Sequence, residues 1–257
     1  MFFLNKSLQF STTAGFFVQK VYDYFGIVFH YLYQYKMKIM KVAVMVVMLT
    51  LSSYVYAQKI ISEGTLVYTI ATQTDNKTAQ PDPLSGATNT IYLKGNLSKT
   101  EMASPLGKET TIYDAKNGTG IILKEYSGQK LMITLTKDNW ASHNKKFEGI
   151  VFTPVAETKK IAGYTCTKAT AKLKDGSAMT VYYSPDINVN DKNYNQLFKD
   201  LPGLPVEYEF ESGKLKFKYT LASVDPGAVA VSKFDTPKSG YRVMSYDESR
   251  VGKKDSN

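Results

Sequence analysis

Cysteine is almost absent. Cys166 stands alone among 257 residues, so no disulfide can close within the chain. Histidine is nearly as scarce, with only His30 and His143, so a histidine-built metal site lacks its ligands. No Gly-x-Ser-x-Gly elbow marks a hydrolase nucleophile. Gly-rich phosphate loops and Asp-rich calcium loops are missing as well. Among the 22 carboxylates of residues 58–257 no Asp-x-Asp run marks a pair, although two acids brought together in a cleft stay compatible with the composition. These absences argue against an enzyme, and no metal or other cofactor is expected. The apolar run of Val42 to Leu51 is about half of the roughly twenty residues needed to cross a bilayer.

Residues 37–58, MKIMKVAVMVVMLTLSSYVYAQ, are the most informative stretch that is present. Lys38 and Lys41 precede an apolar run of about ten residues, and Val55 and Ala57 put small side chains at −3 and −1 of a cut before Gln58. This predicts a secretory signal over 37–57, cleavage after Ala57, and a periplasmic or otherwise exported product. The signal region holds no cysteine, so no lipid anchor is expected. Residues 1–36 read as an extension upstream of a start at Met37 or Met40; a long n-region or a membrane anchor is the other reading. With five lysines and one aspartate leaving in the leader, the formal +9 falls to about +5. That excess is spread along the chain, and no nucleic acid partner is expected.

Strand signals dominate residues 58–245. Leu66, Tyr68 and Ile70 alternate with Val67, Thr69 and Ala71, and Gly or Asn punctuates the chain about every ten residues. Thr74 to Thr88, polar and holding two prolines, reads as a long loop. Even spacing of short strands predicts one mainly β (α+β) domain, an antiparallel meander. VEYEFESGKLKFKYTL, 206–221, predicts a hairpin turning at Ser212-Gly213. Glu211, Glu209 and Glu207 then face Lys214, Lys216 and Lys218 on one side. Phe210 meets Leu215, and Tyr208 meets Phe217, on the other. A second hairpin around Asp175-Gly176-Ser177 pairs Leu173 with Met179 and Ala171 with Val181, although a shorter loop is also compatible. Asp191 can cap a helix whose stripe is Tyr194, Leu197, Phe198 and Leu201, ended by Pro202-Gly203. Lys137 to Phe147 is a weaker helix or a loop, and the polar residues 246–257 read as a disordered tail.

His143 reads as an exposed histidine and Cys166 as a buried, strand-borne hydrophobe. The helix stripe and the aromatic sheet face lie side by side in sequence. They nominate Tyr194, Leu197, Phe198, Tyr208, Phe210, Phe217 and Tyr219 as the lining of an apolar hollow. The same residues equally suit a packed core.

Three blocks resemble a known family: Ile161-Ala162-Gly163-Tyr164-Thr165-Cys166-Thr167-Lys168 with Val181-Tyr182-Tyr183-Ser184-Pro185-Asp186-Ile187, then Leu201-Pro202-Gly203-Leu204-Pro205-Val206-Glu207-Tyr208, then Phe234-Asp235-Thr236-Pro237-Lys238-Ser239-Gly240-Tyr241. The chain is similar to exported Gram-negative proteins of unknown function related to the GLPGLI family, although Pro205 replaces an aliphatic residue of that family's hexapeptide. The resemblance implies a LolA-like fold, an incomplete antiparallel barrel with one or two short helices on its concave face. It implies as partner a lipid or a lipoprotein acyl chain. An envelope scaffold, bound to a protein with its hollow packed, is the alternative.

Overall fold

The computed structural model describes residues 6–51, 58–73, 84, 86–174, 176–212 and 215–250. The chain divides into two units, Met1–Tyr56 and Ala57–Asn257. The described residues of the first unit form one helix, α1 (Lys6–Leu51), on which Phe25, Phe29, Tyr31 and Leu32 are all exposed. Among the described residues, no helix is long and apolar enough to cross a membrane. The expected cleavage point follows residues 52–57, which lie outside the described residues.

The second unit is built on β1 (Lys59–Ile61), β2 (Glu63–Gln73), β3 (Thr88–Lys94), β4 (Leu97–Ser104), β5 (Gly107–Asp114), β6 (Thr119–Tyr126), β7 (Gln129–Leu135), β8 (Thr153–Ile161), β9 (Tyr164–Lys172), β10 (Ala178–Ser184), β11 (Ile187–Val189), β12 (Leu204–Ser212), β13 (Leu215–Asp225) and β14 (Arg242–Ser245). Among its described residues the single α-helix is α2 (Lys137–Asn144). Twelve strands form one sheet in the order β14-β7-β6-β5-β4-β3-β2-β13-β12-β10-β9-β8, and β1 pairs in parallel with β11. All neighbours in the large sheet are antiparallel except β14 with β7, and its two ends do not pair. The fold is therefore mainly β, antiparallel and unclosed, with few short helical pieces, as the strand spacing and the resemblance led us to expect.

The sheet curves. The 3₁₀ turn Lys192–Tyr194 contacts β4, while Phe198, in the next turn Gln196–Phe198, meets Tyr208 of β12 edge-on at 4.6 Å. Those strands are four places apart, about 19 Å if the sheet were flat. Within the curve lies the main core, where Leu66, Val181, Leu201, Leu204, Val206 and Leu221 are essentially inaccessible. Gly203 explains the Leu201-Pro202-Gly203 block, because a Cβ there would overlap the Ser184 carbonyl and the Tyr183 ring.

A second cluster sits on the opposite face, where Ile112 meets Val229 and Phe234. The chain after β13 thus straps the outer face. Glu63 accepts from the Val229 amide at 2.6 Å, and Tyr241 donates to Glu125 at 2.6 Å. The strap then adds β14 at the sheet edge and returns inward through Tyr246, which packs on Ile122, Ile133 and Leu135.

Four expectations differ from the structure. In the β12–β13 hairpin Glu211 pairs with Lys216, Glu209 with Lys218 and Ser212 with Leu215, a shift of two residues; the turn at 213–214 lies outside the described residues. A two-residue slip keeps every side chain on its face, so alternation cannot reveal it. The β9–β10 hairpin is likewise shifted, with Ala171 opposite Met179 and Ala169 opposite Val181. The helix after Asp191 is two 3₁₀ turns broken at Asn195, whose backbone is extended. Asp191 and Asn195 each cap a new turn, at the amides of Asn193 and Leu197, so the ladder restarts instead of propagating. Tyr246, placed at the head of a disordered tail, is buried; residues 251–257 lie outside the described residues. Most of the Thr74 to Thr88 loop lies outside them too.

Candidate functional site

Five of the seven nominated lining residues, Tyr194, Leu197, Phe198, Tyr208 and Tyr219, converge, but on each other. Tyr208 stacks on Tyr219 at 4.7 Å and 6°, and meets Tyr68 edge-on at 6.1 Å as well as Phe198. Tyr194 and Leu197 pack against the same core. Tyr68 donates to the Pro205 carbonyl at 2.8 Å. Burial holds the phenols of Tyr194 and Tyr208 well above the usual range. Phe217 is half-buried further along β13, opposite Thr72 and Phe210, and the side chain of Phe210 lies outside the described residues. The space beside Tyr194 and Phe198 is only about 10 Å³, room for one water at most. In this conformation the cluster is packed core.

Open space lies elsewhere, beside α2. Thr136 caps this helix in a reciprocal pair with Asn139. The helix lays Trp140 on Tyr113, with ring centroids 3.9 Å apart and planes at 12°. On the sheet-edge side of α2 is a cleft of about 600 Å³. Its floor is Ile122, Leu131, Ile133, Met244 and Tyr246, from β6, β7 and β14 with the residue after it. Its rim holds Ser142, His143 and Lys146 on the α2 side, Lys124 on the sheet, and Glu248 to Arg250 on the C-terminal side.

The C-terminal wall is fixed by a second reciprocal cap. Glu248 accepts from the Ser245 amide at 2.7 Å and hydroxyl at 2.9 Å, while its own amide donates to Ser245 Oγ at 3.2 Å. These bonds hold its carboxyl below the usual range. Arg250 then reaches back across the mouth, with Nη1 3.5 Å from Ser142 Oγ and its guanidinium over the Tyr246 ring at 5.5 Å. Ser245-x-x-Glu248 is the sequence signal that marks this wall, and a reading of polarity alone passes over it.

On the other side of α2 a cleft of about 530 Å³ is lined mainly by polar side chains, Asn117, Asn144, Asn193 and Gln196 among them. Among the described residues no three His, Cys, Asp or Glu side chains gather as a metal site. Cys166 is fully buried, and burial pushes its thiol up to about 11. His143 is exposed, with Trp140 and Tyr246 within ring-contact range at 6.4 and 6.0 Å.

The chain belongs to the family described as a domain of unknown function, DUF4412, which it matches over residues 76–241. No curated protein matches it. Among solved structures it is similar to PNGF-II, at 17% identity over 72% of this chain with a TM-score of 0.42. It spans about a third of that protein, 32% of its chain. It is also similar to an uncharacterized conserved protein from Thermus thermophilus, at 10% identity over 70% of this chain and 90% of that one, TM-score 0.41. A third is MucB, at 11% identity over 71% of this chain and 60% of that one, TM-score 0.35.

Proposed function

We propose that the exported domain, released by cleavage after Ala57, is a non-catalytic binder that holds the apolar chain of an amphiphile on its concave face. The observation that supports this is the cleft beside α2, whose floor of Ile122, Leu131, Ile133, Met244 and Tyr246 is apolar while its rim is polar. A volume of about 600 Å³ falls among small-molecule clefts, which run from about 300 to 1,000 Å³. Kinship with the GLPGLI family belongs to the same reading, since the Leu-Pro-Gly block of 201–203 is where the two sequences meet. The second reading is an envelope interaction module without a small ligand. It is favoured by the filled state of the Tyr208 cluster, where the sequence pattern placed the hollow.

Purified residues 58–257 distinguish the two. For the binder, a neutral environment-sensitive dye binds, organic extraction of protein from the native envelope yields an acyl species, and Ser142→Trp on the rim abolishes dye binding without lowering Tm. A protein that takes up no dye and yields no extracted lipid ends this reading in favour of the module.

A further inference from the structure

The rim of the cleft beside α2 is cationic, while its floor is apolar. We infer that the cleft selects a single-chain amphiphile with an anionic head, a carboxylate or a phosphate, held between Lys146 and Arg250; this deepens the function proposed above and rests on it.

The charge around the mouth is specific. Lys124, Lys146 and Arg250 line the cleft together with one carboxylate, Glu248. Glu248 is engaged by the Ser245 amide and hydroxyl, so its charge is directed into the turn that builds the wall. The charged group beside it is Arg242. Lys124 is matched by Glu109 at 3.0 Å. Lys146 and Arg250 have no ion-pair partner among the described residues. Each holds its charged head over an aromatic ring, Lys146 Nζ over Phe147 at 4.8 Å and the Arg250 guanidinium over Tyr246 at 5.5 Å. Both residues are exposed at the rim, so their heads lie at the water boundary, where the head of a bound amphiphile must also stay. Arg250 adds a planar fork that matches a carboxylate or phosphate with two donors. A neutral head gains nothing from this pair, and a cationic head is repelled.

The position of the cleft separates it from the rest of the family domain. Met244, Tyr246, Glu248, Ser249 and Arg250 all lie beyond residue 241, where the family match ends. One wall, the cation included, is therefore supplied by residues outside the matched region.

The test uses residues 58–257 and four twelve-carbon probes below their micelle concentrations: dodecanoate, dodecyl phosphate, dodecanol and dodecyltrimethylammonium. Trp140, the only tryptophan, reports through its fluorescence, and calorimetry gives the affinities. The expected result is that one or both anions bind at least about tenfold tighter than the alcohol and the cation, a charge-assisted difference. That preference shrinks as salt rises from about 50 to about 500 mM, because the rim is exposed. Dodecanoate against dodecyl phosphate tells which head is preferred. The double variant Lys146→Gln/Arg250→Gln loses the preference while keeping its affinity for dodecanol and its Tm. Equal binding of dodecanol and both anions overturns the head-group assignment and leaves the chain-binding function standing. Inorganic phosphate or butyrate binding as tightly as the twelve-carbon anions overturns it in favour of a small-anion site. Failure of every probe to bind removes both the assignment and the function it rests on.

Discussion

Cys166 and Phe198 are residues whose chemistry is set by what surrounds them. Cys166 has no accessible surface, and its thiol is pushed up to about 11 by burial. The folded state therefore keeps the proton that an unfolded thiol releases near pH ~8.5. Stability contributed by this group is complete below that pH and is lost as pH rises toward about 11. Iodoacetamide at about pH 8 should leave Cys166 unmodified in the native protein and alkylate it fully in denaturant, as read by intact mass. Native alkylation on the same timescale would show the strand to be open. Phe198 is 4% exposed between Phe152 and Tyr208. Its truncation to Ala should cost about 3–5 kcal/mol in denaturant unfolding, as for a filled core. Half-buried Phe217 should lose clearly less on the same change. Equal losses would mean that the two share one environment.

Among the elements, the β12–β13 hairpin separates what sequence can and cannot specify. Alternation identified both strands and both faces, because Glu207, Glu209, Lys216 and Lys218 on one side and Tyr208 and Tyr219 on the other follow period two. Register was not legible, since slips by two leave that pattern intact. The charges do not resolve it either: Lys216 sits 2.9 Å from its diagonal neighbour Glu209 and 3.9 Å from Glu211 directly opposite. A double-mutant cycle on Glu209 and Lys216 should give a coupling of about 0.2–1 kcal/mol, and one on Glu211 and Lys216 less. The reverse order would favour the directly opposed pair. The apolar stripe after Asp191 was legible as a buried segment, but not as two turns, because periodicity does not count competing caps. The C-terminal turn was missed for the opposite reason, since its cap is polar. Glu248 titrates below its ordinary value, so the cap is intact above the ordinary carboxylate pKa near ~4.3 and is lost as pH falls through the depressed value. Amide exchange at Glu248, referenced to the β6 amides, should accelerate selectively on acidification, and Ser245→Ala should show that acceleration at neutral pH. An unchanged ratio would remove the cap as the support of the wall.

On the scale of the whole molecule, two features stand together: a β unit with its own core and a long helix with exposed aromatic side chains. Tyr24, Phe25, Phe29 and Tyr31 on α1 are each at least 66% exposed. Large contiguous apolar surface of this kind is not left in water by a free monomer, and is covered, inserted or removed. The expected signal cut, after Ala57, falls within one residue of the boundary between the two units at Tyr56 and Ala57. Cleavage there would release the β unit whole, with Lys59 to Ile61 still able to pair in parallel with β11. We therefore expect residues 58–257 alone to be monodisperse, with a single cooperative unfolding transition. The full chain should bind detergent or self-associate in its absence. Intact mass of the protein recovered from a native envelope should begin at Gln58. A recovered species that keeps Met37 or any earlier residue would overturn the export argument, and a 58–257 fragment that aggregates would mean that the β unit is not stable by itself.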